Sequence, residues 1–277
     1  VYQGSILLGA SLGPAVGGFV AEWFGLRAPF FLVAATAGLC AAWVYLRVPE
    51  VRSPAPEPAP ADGAAPPPGR RGSVWTALAD PNFLLVGLVA FGIFFTRTGA
   101  RQTILPLVGV ERFELTPGTL GLVFMLISVL NFVTIGPSGY IADRWGRKLA
   151  IAPGALVAGA ALALFAVDGS LWLFLAASVL LGLGTGLAGP APAAYVSDIA
   201  RPELRGATLG LYRTLGDVGF VIGPPLLGFV ADQGGLGWPL LLNAVLMAGA
   251  AAAFWLLAAE TVRHRTEERA EAPARGG

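Results

Sequence analysis

Four charged side chains interrupt long apolar stretches of the sequence, and they are the first candidates for chemistry. Arg97 and Arg101 lie four residues apart, as do Arg213 and Asp217. On an α-helix this spacing places the members of each pair on one face. Because ionisable groups inside apolar membrane helices are costly, they mark pathways for substrates, ions or protons.

The arginine pair predicts a binding site for an anionic group, with Thr98 and Gln102 beside it as further hydrogen-bonding side chains. The alternative is that both arginines extend to lipid phosphates. Asp217 is the only carboxylate well inside an apolar stretch, which makes it the best candidate for a proton carrier. The alternative there is a structural ion pair with Arg213.

Two lone amides, Asn131 and Asn243, lie in other apolar stretches. Each is as compatible with a hydrogen bond between helices as with a substrate contact. Both interpretations stay open at the level of sequence.

The elements that position these residues are predicted to be membrane-spanning helices. Of the 277 residues, 55% are hydrophobic and 13% charged, and the mean hydropathy is +0.70. Apolar runs of about 20 residues suit helices that cross a bilayer, and the runs lack the two-residue alternation of a membrane barrel. The predicted fold class is an all-α polytopic membrane protein. Its eight predicted spans are 4–22, 28–47, 83–108, 117–138, 149–167, 170–195, 207–231 and 237–259.

Composition also argues against several functions. A net charge of +1 argues against a nucleic-acid partner. One cysteine, Cys40, and one histidine, His264, argue against a disulfide scaffold and a metal site. The sequence lacks a P-loop for ATP and a catalytic cluster typical of a membrane enzyme. We therefore expect neither a cofactor nor an enzymatic activity.

Basic residues predict the orientation in the membrane. Thirteen Lys and Arg residues fall on one side of the predicted spans, against only Arg27 and Arg112 on the other. The positive-inside rule then places both chain ends in the cytoplasm. The Pro- and Ala-rich linker 49–81 and the charged tail 261–277 lie on the same side.

An internal repeat relates the first and the last third of the sequence. Residues 2–34 align without gaps on residues 212–244, with thirteen identities at an offset of 210. The repeat predicts two related halves. Residues 1–48 then supply the last two helices of the first half, and residues 82–260 supply six helices of the second. We expect the chain to carry eight of twelve helices, as the C-terminal two-thirds of such a protein.

A glycine- and charge-rich string, G-x-x-x-D-R-x-G-R-K, separates two of the predicted spans. Glycine permits close helix packing and a tight turn, and its aspartate is able to pair with an arginine or accept N–H groups at a helix N-terminus. The string thus predicts a latch for one conformation; a plain basic loop that fixes topology is the alternative. Its residues are Gly139, Asp143, Arg144, Gly146, Arg147 and Lys148.

This string resembles the loop signature of the major facilitator superfamily (MFS), in the copy between helices 8 and 9. Asp198 and Arg205 resemble that superfamily's connection between helices 10 and 11. A second string, G-x-x-x-G-P-x-x-G-G, resembles the helix-5 signature of its antiporter branch, although a glycine face serves packing alone equally well. That string comprises Gly9, Gly13, Pro14, Gly17 and Gly18.

The resemblance implies an MFS fold with pseudo-symmetric six-helix halves and a monomeric protein in a cell membrane. It implies a secondary transporter that works by alternating access, with proton-coupled efflux of a small organic compound as the first candidate. Proton-coupled uptake of an anionic metabolite is the alternative within transport. A degenerate membrane scaffold or sensor is the alternative from another class.

Overall fold

The computed structural model describes residues 2–48 and 74–261, and in this part of the chain every regular element is a helix. The prediction of an all-α polytopic fold is confirmed. Most of the predicted linker and tail, 49–73 and 262–277, lies outside the described residues. The α-helices are α1 Tyr2–Phe24, α2 Ala28–Arg47, α3 Pro81–Phe95, α4 Leu105–Phe113, α5 Pro117–Arg144, α6 Arg147–Ala166, α7 Leu171–Ala188, α8 Ala191–Ile199, α9 Arg205–Gly234 and α10 Gly237–Leu257.

Seven stretches of the described chain are helical, long and apolar enough to cross a membrane. Each coincides with a predicted span. The eighth prediction, 4–22, falls on α1, a helix of 23 residues, where the side chains of residues 2–8 and Ala10 lie outside the described set.

Two of the spans contain interruptions that apolar patterning does not predict. Between α3 and α4 the helix widens into a π-helical segment, Thr96–Ile104. Between α7 and α8 it breaks at Gly189 and Pro190. Proline has no N–H to donate to the preceding turn, so a break of this kind leaves a carbonyl that needs another partner.

Helix starts follow ordinary capping chemistry where polar residues are available. The Asp80 carboxylate accepts from the backbone N–H of Asn82 at 2.9 Å, and α3 begins directly after it. At the start of α5, the Thr116 hydroxyl accepts a hydrogen bond from the backbone N–H of Thr119 at 3.3 Å. Such caps satisfy N–H groups that the helix itself leaves unpaired. A short 3-10 helix, Val74–Ala79, precedes Asp80 and shortens the predicted linker.

Small residues bring the helices of the second half close together. A β-carbon built on Gly184 of α7 would lie 2.5 Å from the backbone N of Ala158 in α6. One built on Gly159 of α6 would lie 3.2 Å from the carbonyl oxygen of Ala244 in α10. Close backbone approach is the main source of helix association in lipid, where apolar side chains gain little from burial.

The internal repeat is visible in the backbone. The helices α1 and α9 end at Phe24 and Gly234, which are equivalent residues at the offset of 210. The next residues, Gly25 and Gly235, have φ values of +86° and +84°. Glycine adopts positive φ values without strain, so both copies place a glycine at the equivalent turn.

The helix connections lie at two opposite ends of the bundle, the motif end and the far end. The motif end carries the α5–α6 turn, the α8–α9 connection and residues 258–261. The far end carries the α1–α2, α4–α5, α6–α7 and α9–α10 connections. Because the helices alternate in direction, all these connections group at two opposite ends.

Candidate functional sites in the spans and at the motif end

Arg101 lies within the π-helical segment and is held by the neighbouring helix. Its guanidinium donates to the Ser128 hydroxyl at 2.5 Å and to the Phe124 carbonyl at 3.2 Å, both in α5. The alternative of an arginine that extends to lipid phosphates is not the arrangement seen here. Arg101 instead joins the π-helical segment to α5.

Arg97 and Gln102 have a different environment. Both side chains are exposed, and neither makes a hydrogen bond or ion pair within the described part of the chain. The two predicted arginines therefore have different surroundings in this structure. Arg97 presents its charge to the surface of the bundle while Arg101 is engaged in the interior.

Arg213 and Asp217 form the ion pair that their spacing predicts. The Arg213 Nε atom lies 3.1 Å from Asp217 Oδ1, with 63% and 51% of the two side chains exposed. The guanidinium carbon also lies 4.7 Å from the ring centre of Phe94 in α3. Phe94 precedes Arg97 by three residues, so these charges lie along the seam between α3 and α9.

The two lone amides serve contacts between helices. Asn131 donates to the Thr185 hydroxyl at 3.1 Å, joining α5 to α7. Asn243 of α10 is fully buried and accepts from the Thr96 hydroxyl at 3.1 Å. Its Nδ2 atom has no acceptor among the described residues. Of the two interpretations left open by the sequence, the structure favours a hydrogen bond between helices at both positions.

Hydroxyls from neighbouring helices satisfy carbonyls at two interrupted turns. The Phe220 carbonyl would ordinarily accept from residue 224, but Pro224 has no N–H. It accepts instead from the Thr98 hydroxyl of the π-helical segment, at 2.9 Å. At the α7–α8 break, the Leu187 carbonyl accepts from the Ser138 hydroxyl of α5 at 2.5 Å. The sequence signal for the Thr98 contact was Pro224, because a proline inside a helix leaves the carbonyl four residues before it without its usual N–H donor.

At the motif end, Arg147 joins three helices. Its guanidinium contacts Asp143 of α5 at 2.6 Å and Asp198 of α8 at 3.1 Å. The Arg147 and Asp198 side chains are about nine-tenths buried, whereas Asp143 is 71% exposed. Asp198 also accepts from the Thr261 hydroxyl at 3.3 Å. Ion pairs with two carboxylates offset the free-energy cost of removing the Arg147 guanidinium from water.

Glu260 caps α6, a role that the sequence suggested for Asp143. Its two carboxylate oxygens accept from the backbone N–H groups of Arg147 at 3.0 Å and Lys148 at 3.2 Å. Gly146 precedes the helix with φ +118°, and a β-carbon there would lie 2.6 Å from Glu260 Oε2. Only glycine fits this turn. Sequence reasoning missed Glu260 because it lies more than a hundred residues further along the chain.

The other residues of the motif have simpler surroundings. The Lys148 ammonium donates to the Ala258 carbonyl at 2.6 Å, and Arg144 donates to the Tyr140 hydroxyl at 2.6 Å. Arg205 is exposed at the start of α9. A β-carbon on Gly139 would meet nothing within 4 Å, so the close packing predicted for this glycine is not made in the described part of the chain.

The glycine string of α1 makes its close contact at one end only. Gly9, Gly13 and Gly17 would accept a β-carbon without a neighbour within 4 Å. These three glycines make no close helix contact among the described residues. The close contact uses Gly18, where a β-carbon would collide with the Pro117 carbonyl of α5. Pro14 contributes its carbonyl to the same contact.

Comparison with known families identifies the fold. The sequence profile described as Major Facilitator Superfamily matches residues 1–113 and 90–276. The chain belongs to the Major Facilitator Superfamily. The MFS resemblance inferred from the α5–α6 string is confirmed, and the chain is a multi-pass membrane protein.

Several MFS relatives align with only part of their own length. The human MFS-type transporter SLC18B1 is 25% identical over 95% of this chain, which spans 58% of that protein. The multidrug resistance protein MdtG of Yersinia enterocolitica is 33% identical over 46% of this chain and 30% of its own length. An arabinose-proton symporter of Bacillus subtilis is 28% identical over 37% of the chain and 22% of its own length.

A solved structure shows the same fold. The crystal structure of the human organic anion transporter MFSD10 superposes with a TM-score of 0.57 at 20% sequence identity. The match covers 62% of this chain and 40% of that one. It supports the MFS arrangement of the described helices.

Proposed function

We propose that this protein is a secondary transporter that moves a small organic solute across a cell membrane by alternating access. The observation that carries the proposal is the exposure of Arg97, Arg213 and Asp217 on apolar spans. Charges of this kind are costly against lipid, and in membrane proteins they face the bundle interior or a water-filled cavity. In transporters built from repeats, such a cavity lies between the two halves.

The internal repeat supports the two-half arrangement. Residues 1–48 belong to the first half in this proposal, and residues 82–260 form the second, connected through a cytoplasmic linker. The motif end then faces the cytoplasm together with both chain ends, as the distribution of basic residues favours. The transporter works as a monomer, without a cofactor, and uses the proton gradient as its energy source.

Efflux in exchange for protons is the first candidate for the direction of transport. Two relatives carry names that refer to drug resistance, MdtG of Yersinia enterocolitica and the quinolone resistance protein NorA of Staphylococcus aureus. The arabinose-proton symporter supports protons as the coupling ion without favouring efflux.

Asp217 is the proton carrier in this proposal, with Arg213 as the partner that holds its charge. Half of the Asp217 side chain is exposed, so a proton has access from the proposed cavity. Neutralisation of the carboxylate by a proton would free Arg213 for another anion. An exposed i,i+4 ion pair contributes only about 0.3–0.5 kcal/mol, so this exchange of partners is energetically accessible.

Inside-out vesicles that contain the full-length protein and an acidic interior test this proposal. A panel of lipophilic cations and organic anions is added, and substrate-induced proton efflux is recorded. We expect a response that Asp217→Asn abolishes and Glu111→Gln, which neutralises an exposed carboxylate at the far end, retains. Coupling that persists in Asp217→Asn would refute the role of Asp217. A wild-type protein that responds to no compound would refute proton-coupled efflux.

Uptake of an anionic solute is the second candidate, and the exposed guanidinium of Arg97 favours it. Arg97 has no carboxylate partner within the described residues, so it is available to a carboxylate or phosphate of a substrate. Under this alternative, Arg97→Gln raises the KM for an anionic substrate at least tenfold while Arg97→Lys has a smaller effect. Equal KM values in the two variants and the wild type would exclude it.

A further inference from the structure

A stripe on one face of α1 makes the contact with α5. Ser11, Ala15, Gly18 and Glu22 follow one another at spacings of four, three and four residues, which places them on one helical face. Ser11 and Ala15 are buried, with 6% and 7% of their surface exposed. The first three residues of the stripe have small side chains, and the fourth, Glu22, places a carboxylate at the far end.

The backbones of the two helices touch along this stripe. A β-carbon on Gly18 would collide with the Pro117 carbonyl, and one on Gly121 of α5 would collide with the Pro14 carbonyl. Gly18 therefore packs against the backbone of α5, and Gly121 packs against the backbone of α1. A larger side chain at either position would separate the two helices. A contact this close is either made in full or lost, because packed interfaces do not deform continuously.

Glu22 joins the far end of this contact to the start of α5. Its Oε2 atom accepts from the backbone N–H of Gly118 at 2.9 Å and from the Thr116 hydroxyl at 3.0 Å. A carboxylate at a helix N-terminus is favoured by the helix dipole and by the unpaired N–H groups there. A β-carbon on Gly118 would collide with the Glu22 carboxylate.

The start of α5 does not depend on Glu22 for its own formation. The Thr116 hydroxyl accepts from the Thr119 N–H within the same helix, so α5 keeps a cap when Glu22 withdraws. The hydrogen bonds that Glu22 accepts therefore serve the association of α1 with α5 more than the formation of α5 itself. An acid recurs at the equivalent place of the repeat, because Asp232 lies 210 residues after Glu22, near the end of α9.

We propose that Glu22 is a positioning residue that holds the far end closed by bridging α1 to the N-terminus of α5. Because α1 and α5 belong to different halves, this inference rests on the proposed alternating-access function. Release of the carboxylate from Gly118 and Thr116 would let the two halves part at this end. The contact is strong enough to define a closed state, and it involves few enough bonds to be broken in each cycle.

A single cysteine in the stripe reports whether this end is open. The reporter is Ala15→Cys in full-length protein in which every other cysteine, Cys40 included, has been replaced by serine. A membrane-impermeant maleimide is applied from each side of the membrane in turn. In the otherwise unchanged protein we expect slow labelling, because residue 15 is buried against α5.

Loss of the bridge should increase the labelling rate from the far-end side. We expect about a fivefold increase in Glu22→Gln and Glu22→Ala, comparable to the effect of losing a helix cap. Gly118→Ala should act in the same direction because its β-carbon displaces the carboxylate. Glu111→Gln removes an exposed carboxylate from α4 at the same end and should leave the rate unchanged.

Two controls keep the outcome decisive. A cysteine at Ala158, buried between α6 and α7, must stay unlabelled in every variant, which excludes general unfolding. If both Glu22 variants label at the rate of Glu111→Gln, the proposal is wrong. Labelling needs no substrate, so faster labelling without any measurable transport would support the bridge and count against the proposed function alone.

Discussion

Replacement of Glu260 should increase fraying of the first turn of α6 while the rest of the bundle stays folded. This helix has no side-chain cap of its own, because Gly146 occupies the capping position. The Glu260 carboxylate supplies both acceptors, for the N–H groups of Arg147 and Lys148. We therefore expect Glu260→Ala to act first on these two amides.

The size of the effect follows from the two contributions that are lost. A helix cap contributes about 1 kcal/mol, and a carboxylate near a helix N-terminus adds about 0.3–1 kcal/mol through the helix dipole. Together they give about 1.3–2 kcal/mol for Glu260→Ala. Glu260→Gln keeps one neutral acceptor and should cost about half as much. Since 1.4 kcal/mol corresponds to a factor of ten, the alanine variant should exchange these amides about 10- to 30-fold faster.

Hydrogen exchange measured by mass spectrometry on the peptide that contains residues 145–150 is the suitable assay. Glu203→Gln is the matched control, since Glu203 is an exposed carboxylate at the same end of the bundle. Peptides from α7 should exchange equally in all variants. Unchanged exchange at 145–150 in Glu260→Ala would refute the capping role. Faster exchange throughout the second half would show that Glu260 supports the whole bundle instead of one turn.

Two further substitutions test the interactions that the interruptions and the motif require. Thr98→Val leaves the Phe220 carbonyl without its donor and should lower the free energy of unfolding by about 1–3 kcal/mol, measured by thermal unfolding in detergent with Thr98→Ser as the control that retains the hydroxyl. Arg147→Lys should also reduce stability, because an ammonium lacks the planar geometry that reaches Asp143 and Asp198 together; equal midpoints for lysine and arginine would contradict this.

The helices were predictable from the sequence because apolar length alone selects them. Each apolar run of about 20 residues became a helix, and the offset of 210 located equivalent turns at Gly25 and Gly235. Apolar length is a local property of the sequence, and the repeat is found by comparing two local patterns. The π-helical segment was not predictable in this way, and the partners of its Thr98 and Arg101 side chains lie in other helices, α9 and α5.

The candidate site was predictable in its composition but not in its pairings. Spacing located the Arg213–Asp217 pair, whereas it could not show that Arg101 is engaged and Arg97 is not. The same limit applies to glycine. A β-carbon on Gly219 would collide with the Phe91 carbonyl of α3, whereas one on Gly9, its equivalent in the repeat, would meet nothing within 4 Å among the described residues. A glycine face indicates that close packing is possible, and only the neighbouring helix decides whether it occurs.

The two ends of the bundle differ in what their carboxylates connect. At the motif end, Arg147 and Glu260 tie together helices that all belong to the proposed second half. Such a network has no reason to break when the halves move, and it lets the second half move as a rigid body. At the far end, Glu22 connects α1 to α5 across the proposed boundary between halves. Under alternating access, the Glu22 bridge is therefore expected to break and reform, while the Arg147 network stays intact.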